Sequence, residues 1–170
     1  MSVGYKYFYA QTVNKNLYKH LQINPIAVTG IVKINNHLVF GKRSMNITQF
    51  PGLWELVPSG VVSKESLING NIIDCKKQIL LELSEELKIA PNFVLNAKHA
   101  FIHYDNFFHI TEFVYELELA PILLKKLEKI KTDEYDEVRC VKVEDVKFFL
   151  ENNSNIVPIA ITILRYKNYI

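Results

Sequence analysis

The chain has 170 residues, 49% hydrophobic and 22% charged, with 20 Lys and Arg against 18 Asp and Glu. That is the length of one domain at roughly 150 residues each, long enough to bury roughly 70% of its unfolded surface. The composition excludes a disordered tail and a fibrous repeat, and a net charge of +2 with no run of five like charges excludes a dedicated nucleic-acid binder, which needs a clustered basic face.

In chain order, residues 1–24 are rich in Tyr and Asn and show no clean period, so they read as a lead segment. The domain is expected over 25–170. Ile26 to Ile34 is long and β-branched, Asn35-Asn36 breaks it, and His37 to Arg43 resumes it, which predicts a hairpin. A loop follows to Phe50-Pro51-Gly52, then a short strand from Trp54 to Val57. Ser59 to Asn71 is polar, holds Gly60 and Gly70, and reads as loop. From Asp74, a good N-cap, the pattern turns helical, with Ile79, Leu80, Leu83 and Leu87 as one apolar stripe and Ala90-Pro91 as its end. Two more strands, Phe93 to His103 and Phe107 to Leu119, are expected around Tyr104-Asp105-Asn106. A short Lys-rich helix over Ile122 to Lys131, a strand over Val138 to Val143, and helices over Glu144 to Glu151 and Val157 to Tyr166 complete a mixed α/β domain.

The two cysteines, Cys75 and Cys140, are too few for a disulfide framework and lack metal-pair spacing, so they read as buried reduced thiols. Tyr5 to Tyr9 is aromatic and interrupted by charge, unlike a secretory leader. The longest apolar stretch, Ile156 to Leu164, falls short of the roughly 20 residues of a membrane-spanning helix. A cytoplasmic protein with no membrane or nucleic-acid partner is expected. The oligomeric state stays open, a homodimer included.

The segment richest in chemistry is Leu81-Glu82-Leu83-Ser84-Glu85-Glu86-Leu87. Glu82, Glu85 and Glu86 fall at i, i+3 and i+4, so the three carboxylates project from one side of a helix while Leu83 and Leu87 take the buried side. Like charges so close repel, and a divalent cation relieves that with oxygen ligands. The bland alternative is a solvated acidic face.

With the strand and turn Trp54-Glu55-Leu56-Val57-Pro58-Ser59-Gly60 upstream, the sequence resembles the Nudix hydrolases, whose signature is G-x5-E-x7-R-E-U-x-E-E-x-G-U with U a bulky aliphatic. Glu82 to Ile89 matches E-U-x-E-E-x-G-U at every defined position except Lys88, which stands in place of Gly. The hairpin ending in Phe40-Gly41-Lys42-Arg43 and the late segment Asp133 to Arg139 also match in type and spacing, so the resemblance covers roughly residues 25 to 150. Gly60 lies 22 residues before Glu82, seven more than the signature has, and Leu81 stands where the signature has Arg. Glu65 is the nearest counterpart of the mid-loop Glu, out of register.

The resemblance implies an α/β/α sandwich with a mixed sheet and a Mg²⁺-dependent (or Mn²⁺-dependent) hydrolase. Its substrate would be a small nucleoside diphosphate linked to another moiety, of ADP-ribose or nucleotide-sugar type. The alternatives are a nucleoside triphosphate pyrophosphatase and an inactive nucleotide-binding module. By motif match Glu82, Glu86 and the Gly60 carbonyl are expected to hold metal. Glu85 is a ligand or base, and the later acids Glu134, Asp136 and Glu137 are candidate bases, with Glu137 the one carried as catalytic beside Glu85. Arg43, with Lys42 beside it, Trp54 and Glu55 are the candidates for substrate binding, against a solvated strand end and core packing. His103 and His109 read as structural.

Overall fold

The computed structural model describes residues 4–170; the first three residues of the lead segment lie outside them. Helices α1 (Tyr5–Val13) and α2 (Tyr18–Leu21) precede the sheet. Neither has a clean apolar stripe, and tertiary contacts hold them. Gln11, 3% exposed, exchanges hydrogen bonds with the backbone of Ile23, and the Tyr18 ring stacks on His109.

Strands β1 (Ile26–Ile34) and β2 (His37–Arg43) form the expected hairpin, with Asn35 in the left-handed conformation that the turn requires. They pair only beside their turn and then splay apart. The wedge is filled by β3 (Trp54–Leu56), which pairs with β2, and β4 (Ser59–Val61), which pairs with β1. Part of the expected loop is therefore strand. The next stretch forms a further small hairpin, β5 (Leu67–Ile68) with β6 (Ile72–Ile73). Such short strands carry no period of their own and exist through their partners.

Helix α3 (Cys75–Glu86) starts at Asp74, whose Oδ1 accepts from the Lys77 N–H at 2.9 Å. Strands β7 (Val94–Asp105) and β8 (Ile110–Leu119) follow. Their turn sits later than expected because Asp105 Oδ1 accepts from the N–H groups of Phe107 and Phe108. Helix α4 (Leu124–Leu127), strand β9 (Tyr135–Lys142) and helices α5 (Val146–Asn152) and α6 (Pro158–Tyr166) complete the chain.

The sheet has seven strands: β3-β2-β1-β8-β7, with β4 on β1 and β9 on β2, and only β1 and β8 run parallel. One core packs α3 through Ile79, Leu83 and Leu87 on Val28, Val32 and Tyr115. The other packs α5 and α6 through Phe149, Ala160 and Ile163 on Ile31, Phe40 and Val114. The result is the expected α/β/α sandwich. Val28 and Ile31 fall on opposite faces because side chains alternate along β1. Both thiols are free, and burial pushes Cys140 up to about 12. No helix is long and apolar enough to cross a membrane among the described residues.

Candidate active site

The wedge between β1 and β2 brings Glu55 and Gly60 to the side of the sheet that α3 covers. On α3 the polar residues Gln78, Glu82 and Glu86 recur every four positions and form one stripe turned toward the wedge. Gly60 lies so close to Glu82 that a Cβ there would stand 2.1 Å from Glu82 Oε1, so only glycine leaves the carboxylate its place. Gly41 has the same kind of role. Its missing side chain admits the ring of Tyr135, which would approach a Cβ to 2.6 Å.

Each glutamate is oriented by a neutral donor. Gln78 Nε2 donates to Glu82 Oε1 at 2.6 Å. Glu86 Oε2 accepts from the Ser59 N–H at 3.2 Å and lies 2.7 Å from the Tyr135 hydroxyl, which also stands 3.0 Å from Glu55 Oε1. Glu55 is ion-paired with Arg43, whose Nη2 also reaches Glu134 Oε1 at 3.2 Å. Arg43, half-buried, and the buried Glu55, Glu86 and Tyr135 thus form one continuous network. Its hub, Tyr135, lies beyond the reach of any local sequence pattern. Gln78 was readable from its position four residues before Glu82.

The electrostatics follow from burial. Glu86 is 8% exposed; burial first, and the Glu55 charge next, push its carboxyl well above the usual range, and the bonds from Tyr135 and Ser59 offset part of this. Burial also raises Glu82, with the Gln78 bond opposing and the Glu85 and Glu134 charges adding. For Glu55, burial outweighs the Arg43 charge and leaves the carboxyl raised. Burial disfavours the Arg43 cation, but Glu55, Tyr135 and Glu134 outweigh it and the pKa rises.

These groups open on a cavity of about 600 Å³ lined also by Gly60, Glu85, Glu134, Phe8 and Phe50. Glu85 sits exposed at its rim, and its carboxylate takes no hydrogen bond from any described residue. Arg43 and Glu55 line the cavity, but bound to each other rather than as a free strand end.

Three expected residues stand elsewhere. Trp54 is 4% exposed, edge-on to Phe149 in the second core, so packing and not base stacking is its place. Glu137 pairs with Arg139 along β9 and does not line the cavity; Glu134, three residues earlier, does. Glu65 lies on the turn before β5 and takes no part.

No group of three or more His, Cys, Asp or Glu is gathered closely enough to hold a metal ion among the described residues. The donor set nevertheless fits a hard cation. Glu82 Oε2 and Glu86 Oε1 receive no hydrogen bond from any described residue. Mg²⁺ characteristically takes one or two carboxylates and completes its shell with water and substrate phosphate.

No protein-family model matches the sequence, and no curated protein matches it. Solved structures do. A bifunctional NMN adenylyltransferase/ADP ribose pyrophosphatase from Francisella tularensis, complexed with AMP and a Mn ion, matches at TM-score 0.60 and 17% identity, over 96% of this chain and 47% of that one. This chain spans about half the length of that protein. The MutT protein of Methanosarcina mazei Go1 matches at TM-score 0.56 and 14% identity, over 86% of this chain and 92% of that one. The Nudix domain of Shewanella oneidensis NrtR, complexed with ADP ribose, matches at 0.52 and 13%, over 79% and 86%. At these identities the likeness is one of fold.

Proposed function

We propose that this chain, which has the fold of the Nudix hydrolases, is a divalent-metal-dependent pyrophosphohydrolase that cleaves a nucleoside diphosphate linked to another moiety, ADP-ribose type first. The observation that carries the reading is the pair of oriented glutamates, Glu82 against Gly60 and Glu86 beside Ser59, each with one oxygen free and lining a cavity of about 600 Å³. The match to one structure complexed with AMP and a Mn ion and to another complexed with ADP ribose supports the substrate class.

In this reading Glu82 and Glu86 hold Mg²⁺ or Mn²⁺, with the Gly60 carbonyl as a further ligand. A cation bound there neutralises the diphosphate and lowers the pKa of an attacking water. The chain's own residues do the rest. Gln78, Ser59 and Tyr135 fix the carboxylates, which is the orienting role the missing signature Arg at Leu81 would otherwise have. Glu85, unbonded at the rim, accepts the proton of the attacking water. Arg43 holds Glu55 in an ion pair beside Glu86, and Glu134 faces the same cavity. Residues 25–170 form the domain in this reading, with 1–24 as its flank, in the cytoplasm where thiols stay reduced.

A second reading, nucleotide binding without turnover, is favoured by Leu81 in the Arg position and by the lengthened segment between Gly60 and Glu82. One experiment separates them. The protein is incubated with Mg²⁺ or Mn²⁺ and ADP-ribose, nucleotide sugars or nucleoside triphosphates, and products are resolved by chromatography. AMP released from ADP-ribose, abolished by Glu82→Gln, is expected. Release of pyrophosphate from triphosphates alone would favour a triphosphate pyrophosphatase, and metal-dependent binding without product would favour the binding module.

A further inference from the structure

One carboxyl of the cavity is unused by this chemistry. Glu112 on β8 lines the same cavity as Glu82 and Glu86 but belongs to the other face of the sheet. Strand register settles this. Gly60 is level with Val28 and turned toward α3, whereas Glu112 is level with Ala27 and therefore points away from α3. Glu112 and β4 are separated by two strand spacings, about 10 Å. The cavity thus passes around the short strand β4, with the metal-type glutamates on one side and Glu112 on the other.

The environment of Glu112 is that of a recognition group. Its Oε2 accepts from the hydroxyl of Thr29, itself 3% exposed, at 2.6 Å. Its Oε1 takes no hydrogen bond, and no Lys, Arg or His forms an ion pair with it among the described residues. Ala27 on β1 and His103 on β7 stand level with it, and Ile110, Ile159, Phe8 and Phe50 line the same cavity. A half-buried acceptor with a free oxygen and no ion-paired partner repels phosphate and gains from a donor. Apolar and aromatic walls suit a flat ring.

We propose that Glu112, positioned by Thr29, is the specificity-determining residue for the nucleoside end of the substrate and accepts from the exocyclic amino group of a 6-aminopurine. This rests on the reading above for the diphosphate, but its own geometry concerns the base. Burial pushes the Glu112 carboxyl up, with the Thr29 bond opposing and the Asp105 charge adding. A 6-oxo base puts an acceptor where the amine would be and leaves both groups unpaired.

The test uses the full chain without divalent metal and measures binding of AMP and IMP by calorimetry. Wild type should bind AMP roughly 10- to 100-fold more tightly than IMP, the range of a hydrogen bond to a charged group. Glu112→Gln, whose amide offers a donor as well as an acceptor, should abolish the preference. Thr29→Val should weaken it and Thr29→Ser should restore it. Equal binding of AMP and IMP by wild type, or no saturable AMP binding, would overturn the proposal without any variant having to fold. Equal weakening of both nucleotides in Glu112→Gln would mean contact with the ribose and would also overturn it. Because turnover is not read, loss of hydrolysis with every diphosphate would sink the catalytic reading while an intact AMP preference left this one standing.

Discussion

Replacing Glu86 with Gln should make the metal-free protein more stable. Glu55 Oε1 and Glu86 Oε2 both contact the Tyr135 hydroxyl, at 3.0 and 2.7 Å, so the two carboxylate oxygens lie within about 6 Å of each other. Two unit charges at that separation and an effective dielectric of about 20 repel by about 3 kcal/mol. Arg43 beside Glu55 cancels part of this, which leaves an expected gain of about 1–3 kcal/mol. The Gln oxygen retains the bonds from Ser59 and Tyr135, and no buried donor is orphaned. At this chain length the gain corresponds to a rise in Tm of roughly 2–10 °C.

Burial raises Glu86 in the folded state above its unfolded value, so the folded protein holds that proton more tightly. Its contribution to stability is full below the ordinary Glu value of about 4.3 and is lost as pH rises through the folded value. The difference between variant and wild type should therefore grow from acid to neutral pH. Denaturant melts in a chelator at about pH 5 and about pH 8 check this, and added Mg²⁺ should stabilise wild type but not the variant. A variant less stable at neutral pH, or a difference independent of pH, would refute the repulsion between buried carboxylates.

Arg43→Ala should destabilise the fold by about 3–5 kcal/mol, because it leaves Glu55 buried without its cation; urea melts at neutral pH measure this. Gly60→Ala should cost less than about 1 kcal/mol in stability, since only the flexible end of Glu82 must move. The same variant should sharply reduce both turnover and the Mg²⁺-dependent thermal shift. Lys88 closes α3 at φ 53°, so Lys88→Gly should stabilise by about 1 kcal/mol in chemical denaturation. Leu81→Arg should leave turnover unchanged, because Gln78 and Tyr135 already orient the glutamates; a large gain in a steady-state assay would show those donors to be inadequate.

How much of this was legible in the sequence divides along the distance over which each signal acts. The chain order of hairpin, acidic helix and closing helix follows from neighbours in sequence: Asn35 at a turn, Asp74 at a cap, and the spacing of Ile79, Leu83 and Leu87. So does the grouping of Glu82, Glu85 and Glu86, because helical geometry alone sets which side chains share a side. Residues 59–71 read as loop because strands of two or three residues carry no period, and β4 exists only through β1. The lead segment gave no pattern because its helices are held by contacts such as Gln11 with Ile23. What surrounds each carboxylate was decided by tertiary structure alone. Tyr135 reaches Glu86 across 49 residues and Thr29 reaches Glu112 across 83. Such pairs arise when strands far apart in sequence settle into register, and register depends on which faces the whole sheet must bury. The same burial withdrew Trp54 into the core and left Glu112 in the cavity, although side-chain chemistry alone would have chosen the other way.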